Sequence, residues 1–274
     1  PQILLPGTIL ADVTASPNTM PVLGAALDAG CGVVLANKIP LASSWEAARS
    51  LMGHPYVRYE VTVGAGLPVI DTLQYLVNTG DSMTLIEGCL SGTLGYLCTE
   101  LERGLPYSQV VADARKAGFT EPDPRDDLSG KDVARKALIL ARTAGWPLEE
   151  ADLVVEALYP KSMAELSVGA FMSAVQSMDA DFSDRIQQAA ADGKVLRYVA
   201  RVTATGGEVG LRAVEREGAL GALRGPDNYI AIHTDRYSTI PLRLSGPGAG
   251  PAVTAAGVLG DIIKLAKTMR QGKY

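Results

Sequence analysis

Short β-branched runs alternate with helix-like segments over the first 57 residues, and this alternation is the strongest constraint on how the chain folds. The strand-like runs are "TILADVTAS" and "CGVVLANK", and the helix-like segments are "PVLGAALDAG" and "SSWEAARSLMG". Strands that are joined by helices run parallel in one sheet. We therefore expect residues 1–57 to form part of an α/β domain with a parallel sheet.

The pattern changes after residue 57. A strand-like run "VRYEVTVGAG", a helix "LPVIDTLQYLVNTG" and a strand "SMTLIEGCLSG" lead into a long helical block that extends to about Gly193. Two hairpin-like pairs follow, "VLRYVARVTATGGEVGLRAVE" and "NYIAIHTDRYSTIPLRLSG", which alternate as half-buried antiparallel strands do. We expect residues 58–245 to form a second, α+β domain with a mixed sheet, and residues 246–274 to return as a glycine-rich loop and a helix.

Composition restricts the partners of the chain. Of its 274 residues, 47% are hydrophobic and 20% are charged, and the net charge is -5, which argues against disorder and against nucleic acid as a partner. No apolar run reaches the roughly 18 to 20 residues that a membrane helix needs, so we expect a cytoplasmic protein without a membrane partner. The three cysteines are expected to be buried apolar residues, and the two histidines are too few for a catalytic zinc site.

The segment "EPDPRDDLSGKDVARK", residues 121–136, carries five carboxylates within twelve positions. Its prolines disfavour helix and hold Glu121 on extended chain. Asp127 or Ser129 is expected to cap the helix that follows. Asp132 and Lys136 are four residues apart on that helix, so they share one face close to its N-terminus.

Two interpretations of this segment are open. In the first, it is a capped helix with a surface ion pair worth about 0.3 to 0.5 kcal/mol. In the second, the crowded carboxylates bind the ammonium group of an amino-acid substrate, and Lys136 transfers a proton or polarises a carbonyl group. The number of neighbouring negative charges favours the second interpretation.

The stretch "AGFTEPDPRDDLSGKDVARKALILA" resembles the signature of homoserine dehydrogenases. Three further stretches, "LANKIPL", "YEVTVGAGLPVI" and "GPGAGPAVTAAGVLGDIIKLA", agree with it in order along the chain. The closing segment resembles in particular the short form, also found in fungi, that lacks a C-terminal regulatory domain. The resemblance implies a homodimer that interconverts aspartate 4-semialdehyde and homoserine with NADP or NAD, on the route to threonine and methionine.

The resemblance also implies roles for individual residues. Glu121 and Asp127 would hold the substrate amino group, while Asp132 and Lys136 would serve the reacting oxygen and its proton. Lys38, at the end of a buried strand, is a second candidate proton donor. The substrate-side loop would contribute Gly92 and Thr93. Phe119 stands where the family usually has tyrosine, which is expected to alter binding more than chemistry.

Two non-protein groups are implied by the same resemblance. The residues expected to contact the cofactor are Asn37, Lys38, Gly248 and Ala249. A monovalent cation, commonly sodium in related dehydrogenases, would be bound by backbone carbonyls of Glu60, Val63, Ala65 and Leu67. The neighbouring Gly64 and Gly66 permit the backbone conformations that such a turn needs.

The family begins with a strand, a glycine-rich turn and a helix that hold the dinucleotide pyrophosphate, and none of these precedes "TILADVTAS". We therefore expect a truncated Rossmann-like domain that binds NAD(P) poorly, which micromolar NADPH binding in isothermal titration would contradict. Two alternatives to a stand-alone dehydrogenase are a non-catalytic dimeric module that binds an amino acid, and the C-terminal half of a fused aspartate kinase and homoserine dehydrogenase.

Overall fold

The structure, a computed structural model, describes residues 4–271, and two β-sheets organise them. The strands are β1 (Ile9–Asp12), β2 (Gly32–Leu35), β3 (Val57–Arg58), β4 (Met83–Cys89), β5 (Leu153–Val155), β6 (Lys194–Thr203), β7 (Gly206–Glu215), β8 (Asp227–Thr234) and β9 (Leu242–Pro247). The helices are α1 (Met20–Asp28), α2 (Trp45–Met52), α3 (Val69–Asn78), α4 (Gly92–Glu102), α5 (Tyr107–Lys116), α6 (Arg125–Leu128), α7 (Lys131–Thr143), α8 (Val168–Ala174), α9 (Asp179–Ala191) and α10 (Pro251–Gln271).

The first sheet has three parallel strands in the order β1-β2-β3. All four residues of β2 are buried, as expected for the central strand of a parallel sheet covered on both faces. The C-terminal helix α10 lies against this sheet, with Leu265 and Met269 packed on Val34. Gly32 allows this close approach, because a Cβ there would lie 2.7 Å from Leu265 Cδ2. The predicted parallel sheet is confirmed, and helix α10 returns to it as predicted.

The second sheet has six strands in the order β5-β7-β6-β4-β8-β9. Both predicted hairpins form, since β6 pairs with β7 and β8 pairs with β9 in antiparallel register. The short strand β5 pairs with β7 in parallel, so the sheet is mixed, as predicted. Helices α4, α7 and α9 pack on it. β5 interrupts the predicted helical block. The sequence did not predict it, because a run of three residues is too short for its periodicity to distinguish strand from helix.

The predicted strand "VRYEVTVGAG" is mostly wrong. Only Val57–Arg58 pairs as strand, and Glu60–Thr62 forms a single 3-10 turn. The Glu60 N–H leaves the ladder because it donates to Asp261 Oδ2 at 2.9 Å. The Glu60 carboxylate accepts the N–H groups of Ile70 and Asp71 at the start of α3, which turns the chain at this point.

The structure also describes the cysteines and the apolar character of the helices. Cys31, Cys89 and Cys98 are free and buried, as predicted. Within residues 4–271, no helix combines the length and the apolar character that a bilayer crossing requires.

Candidate active site

Helix α7 carries Asp132 and Lys136, and a glycine begins it. Gly130 is the N-cap, in a left-handed conformation with φ 71°. A Cβ at this position would overlap the hydroxyl of Tyr198, so both conformation and packing favour glycine. The predicted cap by Asp127 or Ser129 is therefore wrong. The Ser129 hydroxyl does accept the Lys131 N–H at 3.3 Å, one position inside the helix.

One carboxylate in the cleft beside α7 bridges two lysines. Asp132 Oδ2 lies 2.9 Å from Lys136 Nζ, and Asp132 Oδ1 lies 3.2 Å from Lys38 Nζ. Lys136 also donates to the carbonyl oxygen of Leu90 at 2.7 Å, and its side chain is only 12% exposed. Lys38 follows β2 in the first sheet, so the fold brings it to a helix that packs on the second sheet. The structure thus joins all three predicted catalytic residues in one cluster.

The two lysines keep Asp132 ionised. Burial on its own would raise the pKa of this carboxyl group, but the ammonium groups of Lys136 and Lys38 outweigh burial and hold the pKa well below its usual range. An ionised carboxylate can orient the lysines but has no proton to give. Proton donation from this cluster therefore belongs to the lysines.

The cluster lies at the wall of a polar cleft of about 670 Å³. Charged side chains dominate its lining: the acids Glu121, Asp123, Asp126, Asp127, Asp132 and Glu165, and the bases Lys38, Arg125, Lys131 and Arg135. Glu121 and Asp127, which are expected to bind substrate, thus face the same space as Lys38 and Asp132. The predicted gathering of carboxylates is present.

The carboxylates of the cleft are not equivalent. Asp123 is paired with Arg125, whose Nη2 lies 2.6 Å from Asp123 Oδ2, and this guanidinium lowers the pKa of Asp123. Asp127 accepts the Glu121 N–H at 2.8 Å, yet burial raises its pKa, and the charges of Glu121 and Asp132 add to the effect. Asp127 is thus a carboxylate that an added cation would stabilise.

The predicted substrate-side loop forms the start of α4. Gly92 is the first residue of this helix, and the Ser91 hydroxyl caps it by accepting the Leu94 N–H at 3.2 Å. The Thr93 hydroxyl donates to the carbonyl oxygen of Phe119 at 2.7 Å. This bond ties α4 to the loop that carries Glu121, so the predicted donor is used inside the protein.

The loop with Gly248 and Ala249 packs on Asn228, a residue that the sequence reasoning missed. Asn228 is fully buried, and its amide oxygen and nitrogen have no hydrogen-bond partner among the described residues. A Cβ on Gly248 would overlap this amide. Cys89 pairs with Tyr229, so the same register places Asn228 opposite Leu90, the partner of Lys136. A polar residue at the start of the apolar run "NYIAI" was the available signal.

The loop predicted to bind a cation contains the two consecutive left-handed residues Gly64, φ 80°, and Ala65, φ 53°. Left-handed backbone redirects successive carbonyl oxygens, as the prediction requires. The Glu60 N–H donates to Asp261 Oδ2 of α10, a contact across 201 positions that sequence reasoning missed. The Asp261 charge also acts on the Glu60 carboxyl group. Burial raises the pKa of Glu60 to about 7 and that of Asp261 to about 6.

A family model described as homoserine dehydrogenase matches residues 68–263. A bifunctional aspartokinase/homoserine dehydrogenase from Zea mays is 44% identical over 272 residues, which are 96% of this chain and 30% of that protein. A homoserine dehydrogenase from Paracoccidioides brasiliensis is 41% identical over 274 residues, which are 94% of this chain and 74% of that protein. The chain thus spans under a third of the bifunctional relative and about three quarters of the fungal one.

Solved structures agree with these matches. The crystal structure of a protein of unknown function from Candida auris superposes with a TM-score of 0.89 at 38% identity, covering 95% of this chain and 76% of that one. A hyperthermophilic archaeal homoserine dehydrogenase in complex with NADPH superposes with a TM-score of 0.71 at 25% identity, covering 94% of this chain and 70% of that one.

Proposed function

This chain belongs to the homoserine dehydrogenase family, and from that premise we propose that its protein interconverts L-aspartate 4-semialdehyde and L-homoserine with NADP or NAD. The observation that carries the proposal is the Lys38–Asp132–Lys136 cluster at the wall of an acidic cleft. The proposed reaction places the protein in threonine and methionine biosynthesis. A cytoplasmic location stays a prediction.

The acidic side of the cleft binds the substrate in this proposal. Glu121 and Asp127 hold the substrate ammonium group, which supplies the cation that Asp127 lacks. Asp123 takes no part, because Arg125 already neutralises it. An ammonium group held by two carboxylates fixes one end of a short amino acid and directs its other end to the lysines.

The basic side of the cleft serves the reacting oxygen. A reduced nicotinamide held beside Lys38, Gly248 and Ala249 would supply the hydride for the aldehyde carbon. As the carbonyl oxygen gains negative charge, an ammonium group of Lys38 or Lys136 stabilises it and delivers the proton that completes the alcohol. In the reverse direction the same lysine, neutral, takes the hydroxyl proton. The Lys136 ammonium group has three N–H donors, and it directs two of them to Asp132 and to the Leu90 carbonyl oxygen. One N–H is left for the substrate.

The described residues fit a nicotinamide cofactor. Asn228 has a buried amide beside Gly248 with no hydrogen-bond partner within residues 4–271, and a carboxamide-bearing ring has matching donors and acceptors. Lys38, Gly248 and Ala249 would hold this end of the cofactor. The NADPH complex of the archaeal homoserine dehydrogenase supports the same cofactor class for this chain.

We include sodium in the proposal, held by the backbone carbonyls of Glu60, Val63, Ala65 and Leu67. Hard cations prefer oxygen ligands, and the left-handed pair at Gly64 and Ala65 turns the chain as such a site requires. Thermal unfolding in sodium chloride and in tetramethylammonium chloride at equal ionic strength tests this site. Equal melting temperatures would argue against it.

We also propose a homodimer formed through the second sheet. Alternation places Glu87, Arg201 and His233 on one face and Ile86 and Ile232 on the other, helix-covered face. The polar face carries an ion pair of 3.2 Å between Arg201 and Glu87, and a self-complementary face of this kind suits a two-fold axis. Sedimentation of the full-length protein as a monomer would contradict this part.

The reaction itself is tested with the full-length protein. We expect homoserine-dependent reduction of NADP+ or NAD+, followed by absorbance of the reduced nicotinamide. Calorimetric binding of homoserine without any turnover would instead support the non-catalytic amino-acid-binding module. The alternative of a fused aspartate kinase and homoserine dehydrogenase leaves the active site unchanged, and the upstream coding sequence tests it.

A further inference from the structure

The geometry points to Asn37, acting with Asp12, as a positioning residue for Lys38 rather than a contact of the cofactor. This inference rests on the proposed function, in which Lys38 faces the reacting oxygen. It revises the expectation from sequence that Asn37 binds the cofactor.

The Asn37 amide is used up inside the protein. Asn37 is 2% exposed, and its Nδ2 donates to Asp12 Oδ2 at 3.1 Å and to the Ser16 carbonyl oxygen at 2.9 Å. Its Oδ1 accepts the Ile39 N–H at 3.1 Å. A side-chain amide has two N–H groups, and both are directed to these protein oxygens. No donor is left for a dinucleotide.

These bonds hold the backbone of Lys38 from both sides. The Asn37 Oδ1 bond to Ile39 spans Lys38 in an Asx-turn. The Lys38 carbonyl oxygen accepts the N–H groups of Leu41 and Ala42 at 3.1 and 3.0 Å, which starts the 3-10 turn Pro40–Ala42. The Cα atom of Lys38 is therefore fixed although the residue lies in a loop.

Asp12 anchors this arrangement to the sheet. It ends β1 and is 5% exposed, and its Oδ1 accepts the N–H and the hydroxyl of Thr14 at 3.0 and 2.7 Å. Its carbonyl oxygen accepts the N–H groups of Ala36 and Asn37. The carboxyl ends of β1 and β2 are thus joined by both backbone and side-chain bonds.

The partner of Lys38 lies on a different part of the fold. Asp132 belongs to α7, and the 3.2 Å separation between Lys38 Nζ and Asp132 Oδ1 joins the end of the first sheet to that helix. A lysine side chain is flexible, so the position of its Cα atom decides which ammonium positions are within reach. The pair of Asp12 and Asn37 sets that position, which is its contribution to turnover.

The test compares four variants of the full-length protein. We expect Asn37→Ala to lower kcat about 100-fold, the scale of a misplaced catalytic group, with the KM for NADP+ changed less than about threefold. Asn37→Asp places a second carboxylate against Asp12, and we expect a loss at least as large. Asn18→Ala is the matched control, because Asn18 is exposed in the same loop, and it should retain wild-type turnover.

The fourth variant, Asp12→Asn combined with Asn37→Asp, reverses the pair. The new amide at position 12 can donate to the new carboxylate at position 37, which still accepts the Ile39 N–H. The Ser16 carbonyl oxygen and the hydroxyl oxygens of Thr14 and Thr19 lose the Asn37 donor, so the recovery is partial. We expect it to recover about tenfold of the lost kcat, by the non-additivity of coupled residues. Recovery by a swapped pair is not expected of two residues that act independently. A double variant no faster than Asn37→Asp alone would overturn the inference.

A second measurement does not depend on turnover. Reductive methylation with carbon-13 labels the lysines, and Lys38→Arg identifies the signal of Lys38 in NMR spectra. We expect this signal to move toward the exposed-lysine position in Asn37→Ala but not in Asn18→Ala. If it moves while the wild type lacks homoserine-dependent turnover, the positioning role stands and the proposed function fails. If kcat stays normal and the KM for NADP+ rises, Asn37 is a cofactor contact and the inference is wrong.

Discussion

Asp132 and Glu60 are both carboxylates at joints between distant segments, yet their surroundings act in opposite directions. Asp132 has two lysine ammonium groups within 3.2 Å, and its pKa is held well below the usual range. Glu60 accepts two peptide N–H bonds and has the carboxylate of Asp261 beside it, and burial raises its pKa to about 7. Peptide dipoles offset less of the cost of burial than full positive charges do.

The two clusters differ in whether a substrate can reach their charges. The Asp132 cluster keeps its charges in a polar cleft, where a substrate can use them. The Glu60 cluster is 7% exposed at Glu60 and 2% at Asp261, and it joins α3, α10 and the turn after β3. The carboxylate shared by two lysines thus belongs to the proposed active site, and the carboxylate that accepts helix N–H groups connects structural segments.

The largest expected effect is on turnover and comes from removing Lys136 from the Asp132 cluster. Lys136→Ala should lower kcat for homoserine oxidation by about 1000-fold, within the range of general acid–base catalysis. The comparison is made with Lys116→Ala, an exposed lysine at the end of α5, whose kcat should stay at the wild-type value. Near-normal turnover of Lys136→Ala would remove Lys136 from the mechanism and leave Lys38 as the donor.

The second effect is on stability and comes from Glu60. Its pKa is higher in the folded than in the unfolded chain, so the folded state binds the proton more tightly. The resulting stabilisation is fully present below about pH 4.5 and is lost as the pH rises through about 7, by up to about 3 kcal/mol. Glu60→Gln should flatten the free energy of unfolding over this window in urea titrations.

Asp261 shares the window from about pH 4 to 6, because burial raises its pKa as well. Asp261→Asn should therefore remove the lower part of the slope and leave the upper part. A wild-type protein whose unfolding free energy is constant between pH 4.5 and 7 would contradict the contrast between the two clusters.

The contribution of Asp132 to the free energy of unfolding should depend on pH in the opposite direction. Its folded pKa is below that of the unfolded chain, so its stabilisation is present above about pH 4 and is lost as the pH falls. Asp132→Asn should make the protein less sensitive to acid below that pH, while lowering its stability at neutral pH. Because Asp132 is partly exposed, we expect this change to be smaller than that at Glu60. Acid unfolding that is identical in the two proteins would argue against it.

The smallest effect concerns the loop that leads to Glu121. Phe119 is 48% exposed and packs on Tyr96, and its carbonyl oxygen accepts the Thr93 hydroxyl. Phe119→Tyr adds a hydroxyl without disturbing these contacts, so the KM for homoserine should change by about threefold at most, a factor worth under 1 kcal/mol. A large change in kcat would show that the charged side chains alone do not explain the cleft.

Local patterns predicted the parts of the fold that depend on near neighbours. Alternation predicted the parallel sheet and both hairpins, and the four-residue spacing placed Asp132 and Lys136 on one helical face. Prediction from local patterns failed where a residue distant in sequence bonds to or packs on the segment. Glu60 leaves its strand for Asp261 and α3, and the packing of Tyr198 makes Gly130, rather than Asp127 or Ser129, the cap of α7.

The sequence by itself determined the inventory of the site: a run of carboxylates, a helical Asp–Lys pair and a lysine at the end of a buried strand. Only the tertiary structure decided that Lys38 shares Asp132 with Lys136 and that Asn37 turns inward to Asp12. It also decided that the carbonyl oxygens of Ala164 and Leu166 hold Arg125, which neutralises Asp123. Periodicity and capping act over about four residues, whereas these pairings join segments that meet only when the apolar surfaces of both sheets are buried.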